Sequence, residues 1–209
     1  MEFSVWLGFF AASWAISLSP GAGAIAAMSA GLNHGFKRGY FTTFGLILGI
    51  LTQIVLVGAG LGAVIAASEQ AYLVVKWAGV AYLVYLGIQQ WRAPGKPLVA
   101  QQADGVQVTR WQLVLRGWGI NAVNPKGTVF LLAVVPQFLD LHHGLAPQYG
   151  VIAATLAFTD AVVMAGYTAL AARVLSALRS EAHLKALNRV FGSLFVAAGA
   201  LLATFKRSV

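Results

Sequence analysis

The 209-residue chain contains no cysteine, which excludes disulfides, thiolate metal sites and a cysteine nucleophile. Charge is scarce as well. Asp, Glu, Lys and Arg make up 10% of the residues, against roughly 25% in soluble domains, and only six residues are acidic. Those few carboxylates and four histidines show no metal-ligand spacing and no pair of carboxylates at one depth. No cofactor is implied, and an enzyme is disfavoured. The N-terminus, Met1-Glu2-Phe3-Ser4-Val5, lacks the basic region and small-residue cleavage site of a secretory signal. The first apolar segment is therefore expected to be retained.

What is present in excess is apolar. Hydrophobic residues make up 59% of the chain and mean hydropathy is +0.76, the composition of an integral membrane protein. A hydrocarbon core of about 30 Å calls for about 20 apolar residues per helix. Six stretches meet this, at roughly 4–31, 39–67, 70–91, 112–136, 148–172 and 187–205. The formal charge of +8 would suit nucleic acid if it formed one basic face, but the basic residues lie at segment ends, so no nucleic-acid partner is expected. Lys37 and Arg38 follow the first stretch, Arg92, Lys96, Arg110 and Arg116 flank the midpoint, and Arg173, Arg179, Lys185 and Arg189 precede the sixth. Basic loops stay on the cytoplasmic side. Glu69, and the group Asp140, His142 and His143, then face outward, and both termini are expected outside.

The polar run from Arg92 to Asp104-Gly105 divides the chain near its middle. The expected organisation is a single transmembrane domain over 1–209, with repeat one at about 1–91, a cytoplasmic linker at about 92–111 and repeat two at about 112–209. Three spans per half force the second half to enter from the opposite side, an inverted repeat. Each half opens on a segment broken by proline, Ser19-Pro20-Gly21 and Asn124-Pro125-Lys126. A broken helix at membrane depth leaves backbone groups that lipid cannot satisfy, so it is tolerated where protein or a watery cavity does so. The expected fold is all-α, with six transmembrane helices in two inverted three-helix repeats and a broken first helix in each.

Asp160 is the one acid deep within a span. An aspartate at a helix centre costs about 2.5–3.5 kcal/mol on insertion scales, so it requires a partner or a proton. A carboxyl that exchanges a proton couples an ion-driven carrier; the alternative is a structural hydrogen bond between helices. Lys126, just after the second break, lies about 20 Å into its span at 1.5 Å per residue. It pairs with Asp160, binds a substrate carboxylate, or reaches an interface if the span starts later. The half-helices beginning after Pro20 and Pro125 present free N–H groups and a positive dipole end, which suit a carboxylate, while Asp160 suits an ammonium or a proton. Together they suit a zwitterion such as an amino acid. The candidate substrate-binding residues are Ser19, Pro20, Gly21, Gln53, Asn124, Pro125, Lys126 and Tyr167, with Asp160 for proton coupling. Gln53 serves substrate or another helix, and Tyr167, two turns beyond Asp160, lines a cavity or packs. His142-His143 reads as a solvated loop and the Gly31, Gly35, Gly39 and Gly45, Gly49 spacings as helix packing.

Ser19-Pro20-Gly21, the His34-Gly35 to Gly39 turn, Gly79-x-x-Tyr82-Leu83 to Gly87, and Asn124-Pro125-Lys126 followed by Pro136-Gln137-Phe138 resemble the LysE/RhtB family of bacterial amino-acid exporters. The likeness runs essentially end to end. It implies a multi-pass protein of the bacterial inner membrane, an antiporter that exports amino acids or close derivatives against protons. Pro20-Gly21-Ala22 departs from the family's Pro-Gly-Pro, and Val163-Met164 stands where members often carry an aromatic residue; both departures bear on substrate rather than fold. The alternatives are a passive channel, or an exporter of another small solute or cation, and a pH gradient separates carrier from pore. Six short spans form a thin bundle, for which a homodimer is an option.

Overall fold

The computed structural model describes residues 2–67, 69–92, 108–140 and 142–174, and scattered residues between 185 and 203. Most of the expected linker and of the sixth apolar stretch, with Lys96 and Arg179, lies outside the described residues. Among the described residues the chain is all-helical. The helices are α1 (Phe3–Leu18), α2 (Ala22–Gly39), α3 (Phe41–Ala67), α4 (Glu69–Arg92), α5 (Arg110–Ala122), α6 (Pro125–Val134) and α7 (Leu145–Val174), with a 3-10 turn at Val135–Phe138 after α6. Helix is the form in which an apolar segment can satisfy its own backbone without water.

Two described helices are long and apolar enough to cross a bilayer, Phe41–Gly60 and Leu145–Arg173. Taking α1 and α2 as one span bent by 55° makes a third. The side chains are distributed as a membrane requires. Gln53 and Thr43 of α3 are 2% and 0% exposed, while Val55 and Leu56 on its other face are 70% and 66% exposed. An outward apolar band and an inward polar one reverse the arrangement of a soluble helix.

Proline positions both breaks. A residue before proline is pushed into extended backbone, and Ser19 (φ −71°, ψ 121°) and Asn124 (φ −73°, ψ 108°) both adopt it. Within α2, Gly35 takes φ 70°, a conformation open to glycine at little cost, and the chain turns there toward α3. A capping box starts α5: Gln112 N–H donates to Thr109 Oγ1 at 3.2 Å and Thr109 N–H to Gln112 Oε1 at 2.7 Å.

α3 lies along α5, and α7 along α2. The closest approaches need glycine: a Cβ at Gly45 would collide with the Val114 carbonyl, and one at Gly31 with the Thr168 carbonyl. Both lie toward the end of the bundle that carries Lys37, Arg38 and Arg110. The main apolar core, with Phe9, Ile50, Phe130, Leu131 and Leu156, sits on the other side of the breaks and joins α1, α3, α6 and α7.

Candidate functional site

A helix end leaves carbonyls without intrahelical partners, and in a membrane bundle another helix must supply the donors. At the first break the donors come from the second half of the chain. Tyr167 of α7 donates its hydroxyl to Leu18 O at 2.7 Å, and Lys126 Nζ, from the first turn of α6, donates to Ser19 O at 2.9 Å. At the second break the donor comes from the first half. Gln53 Nε2 of α3 donates to Asn121 O at 2.6 Å and Asn124 O at 3.0 Å. Each half of the chain thus closes the other's broken helix.

The second break has further internal bracing. Asn124 is the N-cap of α6, its side chain accepting from Lys126 N–H at 3.2 Å, with Pro125 in the first helical turn, where its missing N–H costs nothing. Asn124 Nδ2 donates to Asn121 Oδ1 at 3.1 Å, and Asn121 Nδ2 donates to Leu46 O at 2.7 Å. Gly127 leaves room for Gln53, since a Cβ there would sit 2.6 Å from Gln53 Oε1.

Asp160 enters from α7. Ser17 of α1 donates its hydroxyl to Asp160 Oδ1 at 2.6 Å, and Ser17 Oγ lies 3.1 Å from Thr159 Oγ1. Between the breaks is a cavity of about 60 Å³, with room for a few waters rather than an amino acid. Its polar wall comprises Ser17, Ser19, Asn121, Asn124, Lys126 and Asp160; Leu46, Ile50, Phe130, Leu156 and Met164 form much of the apolar remainder. Ser19 Oγ is buried there without a hydrogen-bond partner. A cation, a carboxyl and the unpartnered Ser19 hydroxyl on one small apolar-walled space offer opposite charges to the two ends of a zwitterion.

Of the sequence-predicted residues, Ser19, Gly21, Asn124, Lys126 and Asp160 share this cavity. Pro20 and Pro125 shape the backbone, and Gln53 and Tyr167 sit behind it as caps; none of these four lines it. The sequence reading passed over Ser17, Asn121 and Gly127. Ser17 could have been found from Ser13-x-x-x-Ser17, a polar stripe on one face of α1. Asn121 is signalled by its place one turn before Asn124. In the loop ahead of α7, His143 is 75% exposed and its Nδ1 lies 2.6 Å from Asp140 Oδ2. The His142 N–H and then His143 hold the Asp140 carboxyl below its usual range. Among the described residues no cluster of His, Asp or Glu could hold a metal.

A profile of the LysE type translocator family matches residues 14–205. The chain is similar to a homoserine/homoserine lactone efflux protein of Salmonella typhimurium, 41% identical over 208 residues and covering 100% of both chains. It is also 41% identical to an uncharacterized membrane protein of Vibrio cholerae, over 99% of this chain and 100% of that one. A leucine efflux protein of an Enterobacter species is 26% identical over 90% of each. No solved structure matches. Two of these three relatives are named as efflux proteins and the matched family is one of translocators, so the chain is a transporter rather than an enzyme. With two mutually capped helix breaks in an apolar bundle and a profile match from the first span almost to the C-terminus, the chain belongs to the LysE type translocator family.

Proposed function

We propose that this protein is a proton-coupled exporter of small neutral amino acids, homoserine foremost, in the bacterial inner membrane. The observation that carries the reading is the meeting of Lys126 and Asp160 on one cavity between two breaks. The substrate class follows the relative that is 41% identical over the full length, whose name specifies homoserine and homoserine lactone. The substrate carboxylate draws Lys126 from Ser19 O, and the ammonium meets Asp160. A proton on Asp160 competes with that ammonium, so proton arrival expels substrate and proton loss readmits it. The cavity widens to admit cargo, through movement of α1 and α2 about Ser19-Pro20-Gly21.

The membrane arrangement belongs to the same reading. Six spans form two inverted repeats, about 1–91 and 112–209, joined by a cytoplasmic linker, with both termini outside. A homodimer completes the bundle. α3 and α7 support the two-repeat arrangement, each lying along the broken segment of the opposite half. The site comprises Ser19, Pro20, Gly21, Asn124, Pro125 and Lys126 at the breaks, Gln53 and Tyr167 holding them, and Asp160 coupling.

Liposomes loaded with homoserine test this. The native chain should release homoserine when a pH gradient, acid outside, is imposed, and Asp160→Asn should not. Equal gradient-driven release by Asp160→Asn would overturn the coupling role. Release that ignores the gradient and never saturates would identify a channel.

A further inference from the structure

We propose that protons reach Asp160 from the outer face through a second cavity at the start of α1 and α7, along a seam of buried hydroxyls between these helices. The proposal rests on the reading of Asp160 as the coupling carboxyl. The second cavity, an open groove of about 770 Å³, has Glu2, Trp6, Asp140, His143 and Val151 on its wall. It lies at the end opposite the glycine-tight contacts of α2 with α7 and α3 with α5, which is the outer end by the distribution of basic loops. Glu2, Asp140 and His143 give the groove a wall of ionisable side chains.

From the groove the seam leads inward. Trp6 Nε1 donates to Thr155 Oγ1 at 3.1 Å, and Thr155 Oγ1 donates to Val151 O at 2.7 Å, placing Thr155 directly beneath two groove residues. Thr159 follows one turn on, a rise of about 6 Å, and is fully buried. It meets Ser17, which meets Asp160. Ser13, fully buried one turn before Ser17, keeps the α1 side of the seam polar. Serine and threonine bonded to their own helix also serve as packing in membrane bundles. What separates this seam is that it has a titratable end and an open end. On the other side of Asp160, Ala27, Leu46, Val163 and Met164 pack as an apolar plug.

The groups facing Asp160 are Ser17 from α1 and Lys126 from α6, with Tyr167 farther along α7; α2 and α3 present no charge there. The transfer balances. Asp160 Oδ1 takes the Ser17 hydrogen, Ser17 Oγ takes that of Thr159, and Thr159 Oγ1 is reprotonated by a water that bridges the turn to Thr155 and is itself recharged by a hydronium from the groove. One hydronium becomes water and one carboxylate becomes a carboxylic acid.

Substrate exchange without net proton movement distinguishes the seam from the site. In liposomes holding the full chain, Thr155→Val and Thr159→Val should keep homoserine exchange within about twofold of native, while gradient-driven release falls at least about tenfold, a barrier increase near 1.4 kcal/mol. Driven release within twofold of native in both variants would overturn the seam even where Asp160→Asn abolishes it. Driven release retained by Asp160→Asn would instead overturn the coupling role, and an absence of homoserine flux in the native chain would overturn the export reading; this proposal falls with either. The cysteine-free sequence supplies a further check. Val151→Cys should react with an impermeant thiol reagent added outside; reaction from the inside alone would overturn outer access.

Discussion

The two helix breaks expose the same kind of carbonyl and are closed by different chemistry. At Ser19 the donors are an ammonium and a phenol, Lys126 Nζ and Tyr167 OH. At Asn121–Asn124 the donor is the neutral amide of Gln53, braced by Asn124 and by the Asn121 bond to Leu46 O. A substrate carboxylate can compete for an ammonium; it has far less hold on an amide already shared between two carbonyls. The difference teaches that matched interruptions in two halves of a chain need not be closed alike: one is held by a charge and the other by neutral amides.

The largest test of that contrast is Lys126→Met, which keeps length and removes charge. Hydrogen bonds to charged groups are worth about 1.5–3 kcal/mol, so initial efflux from liposomes should drop by about tenfold to a hundredfold. Near-native efflux would break the comparison at its responsive end. Gln53→Leu sharpens the other end. It strips the donor from the Asn121 and Asn124 carbonyls at a cost of about 1–3 kcal/mol, which a lower melting temperature in detergent should register. The concentration of homoserine giving half-maximal efflux should stay within about twofold, since Gln53 does not line the cavity. A large change in that concentration with an unchanged melting temperature would make Gln53 a substrate ligand and reverse the assignment. The smallest effect belongs to Tyr167→Phe, which removes one neutral hydrogen bond, about 1 kcal/mol, from Leu18 O. Its melting temperature should fall slightly and its efflux remain; loss of efflux at full stability would place Tyr167 among the groups that contact cargo.

How much of this could be read beforehand differs residue by residue. Pro20 and Pro125 announced both breaks, because proline removes a donor and restricts its predecessor wherever it stands. Asp160 and Lys126 announced themselves by the cost of charge at depth. Gln53 and Tyr167 were recognisable as polar residues within spans, but their task was not, because the carbonyls they cap lie 68 to 149 positions away in the chain. Ser17 was missed for a related reason. A serine in a helix can bond its own backbone, so its partnership with Asp160 is invisible until α1 and α7 are packed.

By itself, then, the sequence determined the solvent, the helical class and the places where helices stop: these follow from composition and from the stereochemistry of single residues, which act locally. Only the tertiary structure decided which groups close which break, that Lys126 spans from one break to the other, and that Asp160 meets the hydroxyl of Ser17 from α1. Those are relations between segments far apart in the chain, set by how glycine-lined helix faces fit together, and a linear pattern carries no such distances.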